Sequence, residues 1–145
     1  MVKALAKWHI LIIDNDPAAA LVTARGLQRL LTSDIEVTIA ESAQAALNLN
    51  IETPLDLLII DPSPQLQATS ALISKVRSDS PKTTILVFTG HDTPRLRKHM
   101  NGLGVQHYLN KSVNIQQLST TVSTLLTEAS DNVSLEPPIA RLLAQ

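Results

Sequence analysis

Four of the short apolar runs in this 145-residue chain lead directly into side chains able to do chemistry. Asp14-Asn15-Asp16 follows the first run, Asp61 the third, Thr89-Gly90 the fourth, and Lys111 lies just beyond the fifth. Any one aspartate in such a place is ordinarily a turn or helix-cap residue. Four groups together are more specific. Two carboxylates and an amide oxygen form a hard-oxygen cage suited to Mg²⁺, which takes few protein ligands and keeps several waters. An ammonium at Lys111 and a hydroxyl at Thr89, facing the same point, would hold a tetrahedral anion attached to or approaching Asp61. The set suits phosphoryl transfer to a carboxylate. Asp61, alone at the end of its run, is the nucleophile candidate, and Asp14 and Asn15 are placed to hold metal.

These groups meet only if the runs are parallel strands of one sheet. His9 to Ile13 is almost continuously apolar, as expected of a strand covered on both faces, and Asp16-Pro17 supplies an N-cap and a first-turn proline. Ala20, Ala24, Leu27 and Leu31 recur at helical spacing, with Gly26 a minor weakness. Further strands are expected at Ile35 to Ala40, Leu55 to Ile60, Thr84 to Phe88 and Gln106 to Leu109. The intervening helices run from Ala43, capped by Ser42, to about Asn50, cover Ala68 to Val76, start at Pro94 with Thr93 as cap, and follow the cap Asn114 with an apolar face at Ile115, Leu118, Val122, Leu125 and Leu126. Five strand–helix pairs joined by right-handed crossovers predict an α/β, doubly wound, five-stranded parallel sheet with helices on both faces. Ligands in such sheets bind at the carboxyl ends of the strands. One domain over residues 1–129 is expected, with residues 130–145, which include Pro137-Pro138, as a C-terminal tail or truncated linker.

Composition excludes several function classes. At 44% hydrophobic and 17% charged residues, the chain can bury a core. Twelve Lys+Arg against thirteen Asp+Glu leave a net charge of −1, so no overall positive field favours nucleic acid or an anionic membrane. The apolar runs are too short to span a bilayer, and no secretory signal is expected in Met1 to Lys7. With no cysteine there is no disulfide, thiolate zinc site or cysteine nucleophile, which suits a reducing compartment, the cytoplasm being the expected one. Trp8, Phe88 and Tyr108 are too few aromatics for a base-stacking platform. His9, His91, His99 and His107 lack the spacing of a metal site, and only His91 falls near the expected rim. The run Arg95-Leu-Arg97-Lys98-His99 is either a partner-binding face or a solvated one.

Ile10-Leu-Ile-Ile-Asp14-Asn15-Asp16-Pro17, Asp56-Leu-Leu-Ile-Ile-Asp61, Ile85-Leu-Val-Phe-Thr89-Gly90 and Tyr108-Leu-Asn-Lys111 together resemble the receiver domain of two-component response regulators, over about Lys7 to Glu128. The resemblance implies a flavodoxin-like, CheY-like fold with sheet order 2-1-3-4-5 and phosphorylation by a histidine kinase or phosphotransfer protein. It makes Asp61 the phosphoacceptor and places Asp14, Asn15 and Asp61, with the Ser63 carbonyl, around Mg²⁺. Thr89 becomes the switch hydroxyl, Lys111 the phosphate-binding lysine and Tyr108 the switch aromatic. The output is then a protein target, met through the face of the fourth helix, fifth strand and fifth helix, with a homodimer left open and at most slow self-dephosphorylation as enzyme activity.

Three departures bear on this expectation. Asn15 stands at the second acidic position, so Mg²⁺ should bind more weakly unless Asp16 or a water compensates. Pro62 follows Asp61, and Ser63-Pro64-Gln65 and Thr69 give the next loop an unusual sequence. Ser112 replaces the family's proline after the lysine. The rival reading is a degenerate receiver that binds partners without phosphorylation. A remoter one is a phosphatase resembling the haloacid dehalogenase superfamily, on Asp14-Asn15-Asp16 and Val87-Phe88-Thr89, though Pro17 enters a helix at once. A flavin-binding reading is weaker, because the loop after the first strand is not rich in Gly, Ser or Thr.

Overall fold

The computed structural model describes residues 7–32, 34–49, 54–62 and 66–135, with side chains as far as Ala129. Ten elements alternate: β1 Trp8–Ile13, α1 Pro17–Leu30, β2 Ile35–Ala40, α2 Ala43–Leu47, β3 Leu57–Ile60, α3 Leu66–Asp79, β4 Thr84–Thr89, α4 Pro94–Gly102, β5 His107–Asn110 and α5 Ile115–Leu135. The strands form one parallel sheet in the order β2-β1-β3-β4-β5. Strand order reverses between β1 and β3, so the carboxyl ends of these two strands flank the natural ligand crevice.

Period-two alternation in the central strands builds two cores. Ile10, Ile12, Leu57, Ile59 and Leu86 point to one face, where Ala20, Ala24 and Leu27 of α1 and Leu118, Val122 and Leu125 of α5 cover them. Leu11, Ile13, Leu58, Ile60, Ile85 and Val87 point to the other face, against α2, Leu72, Ile73 and Val76 of α3, and Leu96 and Met100 of α4. Every residue of β3 is at most 1% exposed. At about 1.5–3 kcal/mol for each fully buried aliphatic side chain, this double-sided burial makes β1 and β3 the rigid centre of the molecule.

The helix starts follow the expected chemistry. Asp16 caps α1 by accepting from the Ala18 and Ala19 N–H groups, Ser42 caps α2, and Thr93 caps α4. Asn114 and Gln117 exchange side-chain-to-backbone bonds of 3.0 and 2.8 Å at the start of α5, a reciprocal cap. Gly104 takes φ +88° after α4, the left-handed turn that leads the chain into β5. Gly26 is more than a weak point in α1. A Cβ there would lie 2.4 Å from Ile115 Cγ1, so the glycine permits the close approach of α1 and α5.

Several boundaries differ from the sequence expectation. Helix α2 ends at Leu47, where the Asn48 N–H bonds back to the Ala45 and Ala46 carbonyls, and Asn50 falls outside the described residues. Strand β3 starts at Leu57, because the Leu55 carbonyl is taken by the Thr83 hydroxyl at 2.7 Å. Strand β5 runs His107–Asn110. Helix α5 continues to Leu135, past the point where the tail was expected to begin. Among the described residues, no helix is long and apolar enough to cross a membrane.

Candidate functional site

Backbone hydrogen bonds carry the sheet pattern just beyond the strand ends, and this fixes the functional positions. The Asp14 N–H donates to the Ala40 carbonyl at 3.3 Å, Asp61 to Ile13 at 2.9 Å, and Lys111 to Thr89 at 3.0 Å. The side chains of Asp14, Asp61 and Lys111 therefore leave the same rim, from β1, β3 and the turn after β5.

They meet. Lys111 Nζ lies 2.6 Å from Asp14 Oδ2 and 2.9 Å from Asp61 Oδ2. The two carboxylates are 6% and 9% exposed at the side chain, and the lysine 25%, so the cluster sits at the floor of the rim with its cation toward water. Two carboxylates against one ammonium leave a single net negative charge in this pocket. Burial alone pulls the Lys111 ammonium down, but its hydrogen bonds to Asp14 and Asp61 more than reverse this and hold it above the ordinary lysine value. The other oxygen of Asp14 accepts from the Asp16 N–H at 2.9 Å. Both oxygens of Asp14 are thus engaged.

Thr89, at the end of β4, is 1% exposed, and its Oγ1 accepts from the His91 N–H at 3.1 Å. This ties the switch-hydroxyl candidate to the loop that leads into α4. Tyr108 lies half-buried on β5 with its hydroxyl aimed at α4. One phenolic proton cannot serve three acceptors, and the 2.6 Å distance to Asn101 Oδ1 identifies the bond, with the Arg97 and Val105 carbonyls at 3.3 and 3.2 Å. Burial raises the Tyr108 pKa above its ordinary value. The Arg97 guanidinium covers the ring at 4.7 Å from its centroid.

Asn15 and Asp16 are exposed, and Asp16 spends one carboxylate oxygen on the α1 cap. Ser63 lies outside the described residues. Among those residues no three His, Cys, Asp or Glu side chains gather as a metal cluster. The donor set at the rim is therefore two carboxylates with an amide neighbour. That set fits Mg²⁺, which is commonly held by one or two carboxylates plus phosphate oxygens and waters.

The unusual loop residues have structural explanations. Ser112 N–H donates to Asn110 Oδ1 at 2.8 Å, a side-chain-closed turn that aims Lys111 without a proline. Pro62 is buried, and its carbonyl accepts from the buried Thr69 hydroxyl at 3.3 Å, which anchors the chain after Asp61 to α3. Sequence reasoning missed one feature near the site. Asp92 grips Arg97 with both oxygens, at 2.8 Å each. The Arg97 hydrogen bond lowers the Asp92 pKa, and the same bond raises that of Arg97. Only the five-residue spacing of opposite charges around Thr93-Pro94 hinted at this pair.

A parallel sheet of this order, with two acids and a lysine converging on its carboxyl rim, defines a receiver-type α/β domain. Residues 10–123 match the model of the response regulator receiver domain family. The chain belongs to that family, whose members act in two-component signalling. Its fold is similar to that of a CheY-like response regulator receiver domain protein from Methanospirillum hungatei JF-1, at 23% identity over 88% of this chain and 99% of that one, with TM-score 0.75. It is likewise similar to chemotaxis response regulator CheY4 of Vibrio cholerae, at 21% identity over 83% and 99% of the chains and TM-score 0.69. The signal receiver domain of an HD domain-containing protein from Pseudomonas fluorescens Pf-5 matches at 22% identity over 88% and 93%, with TM-score 0.72. No curated protein matches the chain.

Proposed function

We propose that this receiver domain accepts a phosphoryl group on Asp61 from the phosphohistidine of a histidine kinase or phosphotransfer protein. The observation that carries the reading is Lys111 Nζ within 3 Å of both Asp14 and Asp61 at the strand-order reversal. An Asp61 oxygen forms the new O–P bond as the P–N bond of the donor breaks, and the donor imidazole leaves. Lys111 pairs with the added negative charge, and Asp14 keeps the lysine over the pocket. Asp14 and Asp61, with an oxygen from Asn15, would hold Mg²⁺, which when bound neutralises charge on the phosphoryl oxygens.

Phosphorylation then acts through Thr89. Its hydroxyl, which accepts from the His91 N–H, donates its proton to a phosphoryl oxygen and is drawn toward it, which loosens the loop into α4 and biases the Tyr108 contact with Asn101. The reshaped face of α4, β5 and α5 is the output surface for a protein target. The domain works in signalling, with turnover limited to loss of its own phosphoryl group.

A second reading, a receiver that binds partners unphosphorylated, is favoured by one observation: Asn15 removes an acid from the metal side of the pocket. Incubation with acetyl phosphate and Mg²⁺, read by intact mass, separates the two. Addition of one phosphoryl group to wild type and none to Asp61→Asn supports the first reading. No addition to wild type at saturating Mg²⁺ supports the second.

A further inference from the structure

Helix α4, PRLRKHMNG, carries Arg95, Arg97 and Lys98 and no acid. Its two flanks treat these cations differently. Toward β5, Arg97 is gripped by Asp92 and lies over Tyr108. Toward α3, Arg95 and Lys98 line a groove of about 770 Å³, and among the described residues neither is in an ion pair. The groove has an aliphatic floor of Leu66, Leu96 and Leu103, and Leu66 at the start of α3 is 41% exposed. Ser70 Oγ and His99 Nε2, 2.8 Å apart, join α3 to α4 alongside it.

An uncovered leucine beside unpaired cations on a concave surface is complementary to a ligand that is both apolar and anionic. We infer that the α3–α4 groove docks an acidic amphipathic helix of a partner protein. Leucine-type side chains of the partner seat on Leu66, Leu96 and Leu103, and its carboxylates pair with Arg95 and Lys98. These two cations are three residues apart on one face of α4, which matches carboxylates one helical turn apart on the partner. Other occupants fit less well. Among the described residues the rings lining the groove are the small imidazoles of His91 and His99, the latter held by Ser70, which offer a nucleotide base less stacking surface than Phe, Tyr or Trp, and the groove's concavity does not suit a planar bilayer. A second copy docking through the exposed Leu21 and Val22 of α1 would bring a helix with two arginines and no acid against the same cations. The inference is independent of phosphorylation at Asp61.

The test is a ¹⁵N NMR titration of the full chain with a synthetic amphipathic helix of leucine and glutamate. A matched peptide with lysine for glutamate serves as control. Saturable shifts are expected at Leu66, Leu96 and Leu103, weakening with added salt, with no binding of the lysine peptide. Arg95→Glu with Lys98→Glu should weaken binding by about tenfold or more. Because the salt series uses the wild-type protein, it gives an answer even if the double variant folds poorly. The inference is overturned by unsaturated shifts, by shifts centred away from the groove, or by equal binding of the lysine peptide. Saturation of the groove by ATP or by anionic vesicles instead, or self-association through it in sedimentation, would overturn it as well.

Discussion

Two three-residue clusters of charge and contact differ in surroundings more than in contact length. At the sheet rim, Lys111 bridges Asp14 and Asp61 at 2.6 and 2.9 Å, with both acids almost fully buried. On the surface, Asp92 holds Arg97 at 2.8 Å, and Arg97 lies over Tyr108. In the first, both carboxylates have given up most of their water and depend on the lysine, which keeps part of its own. In the second, the Asp92 side chain is only 14% exposed, but Arg97 is 50% exposed, and water screens the pair from the arginine side, so the contacts contribute less. Contact length does not rank them. Burial does, through the cations above all, Lys111 being 25% exposed and Arg97 50%, and at the rim that burial comes from the double-sided packing of β1 and β3.

Substitutions can break or sharpen that contrast. The largest effect is expected from Lys111→Met, which leaves two buried carboxylates facing each other. Urea unfolding at neutral pH should show a loss of about 1–3 kcal/mol, reduced from the fully buried case because the lysine is partly exposed. Unchanged stability would mean that the rim is as well screened as the surface. Next is Asn15→Asp, which adds a negative charge beside the pocket. Mg²⁺ affinity, followed by NMR shifts of Asp61 and Lys111, should rise by about three- to tenfold, and an unchanged affinity would place Asn15 outside the ion's reach.

A third, smaller effect concerns alkaline pH. A lysine whose pKa is raised on folding contributes stability that is fully present below its ordinary value of 10.5 and is lost as pH rises through the folded value. Tyr108, also raised, acts in the same direction above its ordinary 10.0, so the measurement belongs in a Tyr108→Phe background. There, the stability difference between the Lys111 protein and its Lys111→Met variant should shrink as pH climbs above 10.5. A constant difference would show that packing of the lysine stem matters more than its charge. The smallest effect is expected from Asp92→Asn, with no resolvable shift in the unfolding midpoint but altered shifts at Tyr108 and Asn101. A clear loss of stability would make the surface cluster structural and erase the contrast.

The rim was legible in the sequence because strand ends are marked by strong local signals: continuous aliphatic runs stop, and Asp14, Asp61, Thr89 and Lys111 follow. Parallel pairing then brings these positions together whatever the loops do. The caps at Asp16, Ser42, Thr93 and Asn114 were legible for the same local reason. Features that depend on tertiary neighbours were not. Gly26 reads as a flaw in α1 until Ile115 is seen pressing against it. Ser112 reads as a lost proline until Asn110 closes the turn in its place. The Asp92–Arg97 grip requires knowing how the residue before the Thr93 cap is aimed relative to the first turn of the fourth helix.

The most direct test of the phosphoryl pocket is ¹⁹F NMR with beryllofluoride and Mg²⁺. The trifluoride stands in for the phosphoryl group on a carboxylate oxygen. A bound signal that requires Mg²⁺, disappears in Asp61→Asn and comes with amide shifts at Thr89 and Lys111 is the predicted result. The absence of any bound signal from the wild-type protein at saturating Mg²⁺ would contradict it.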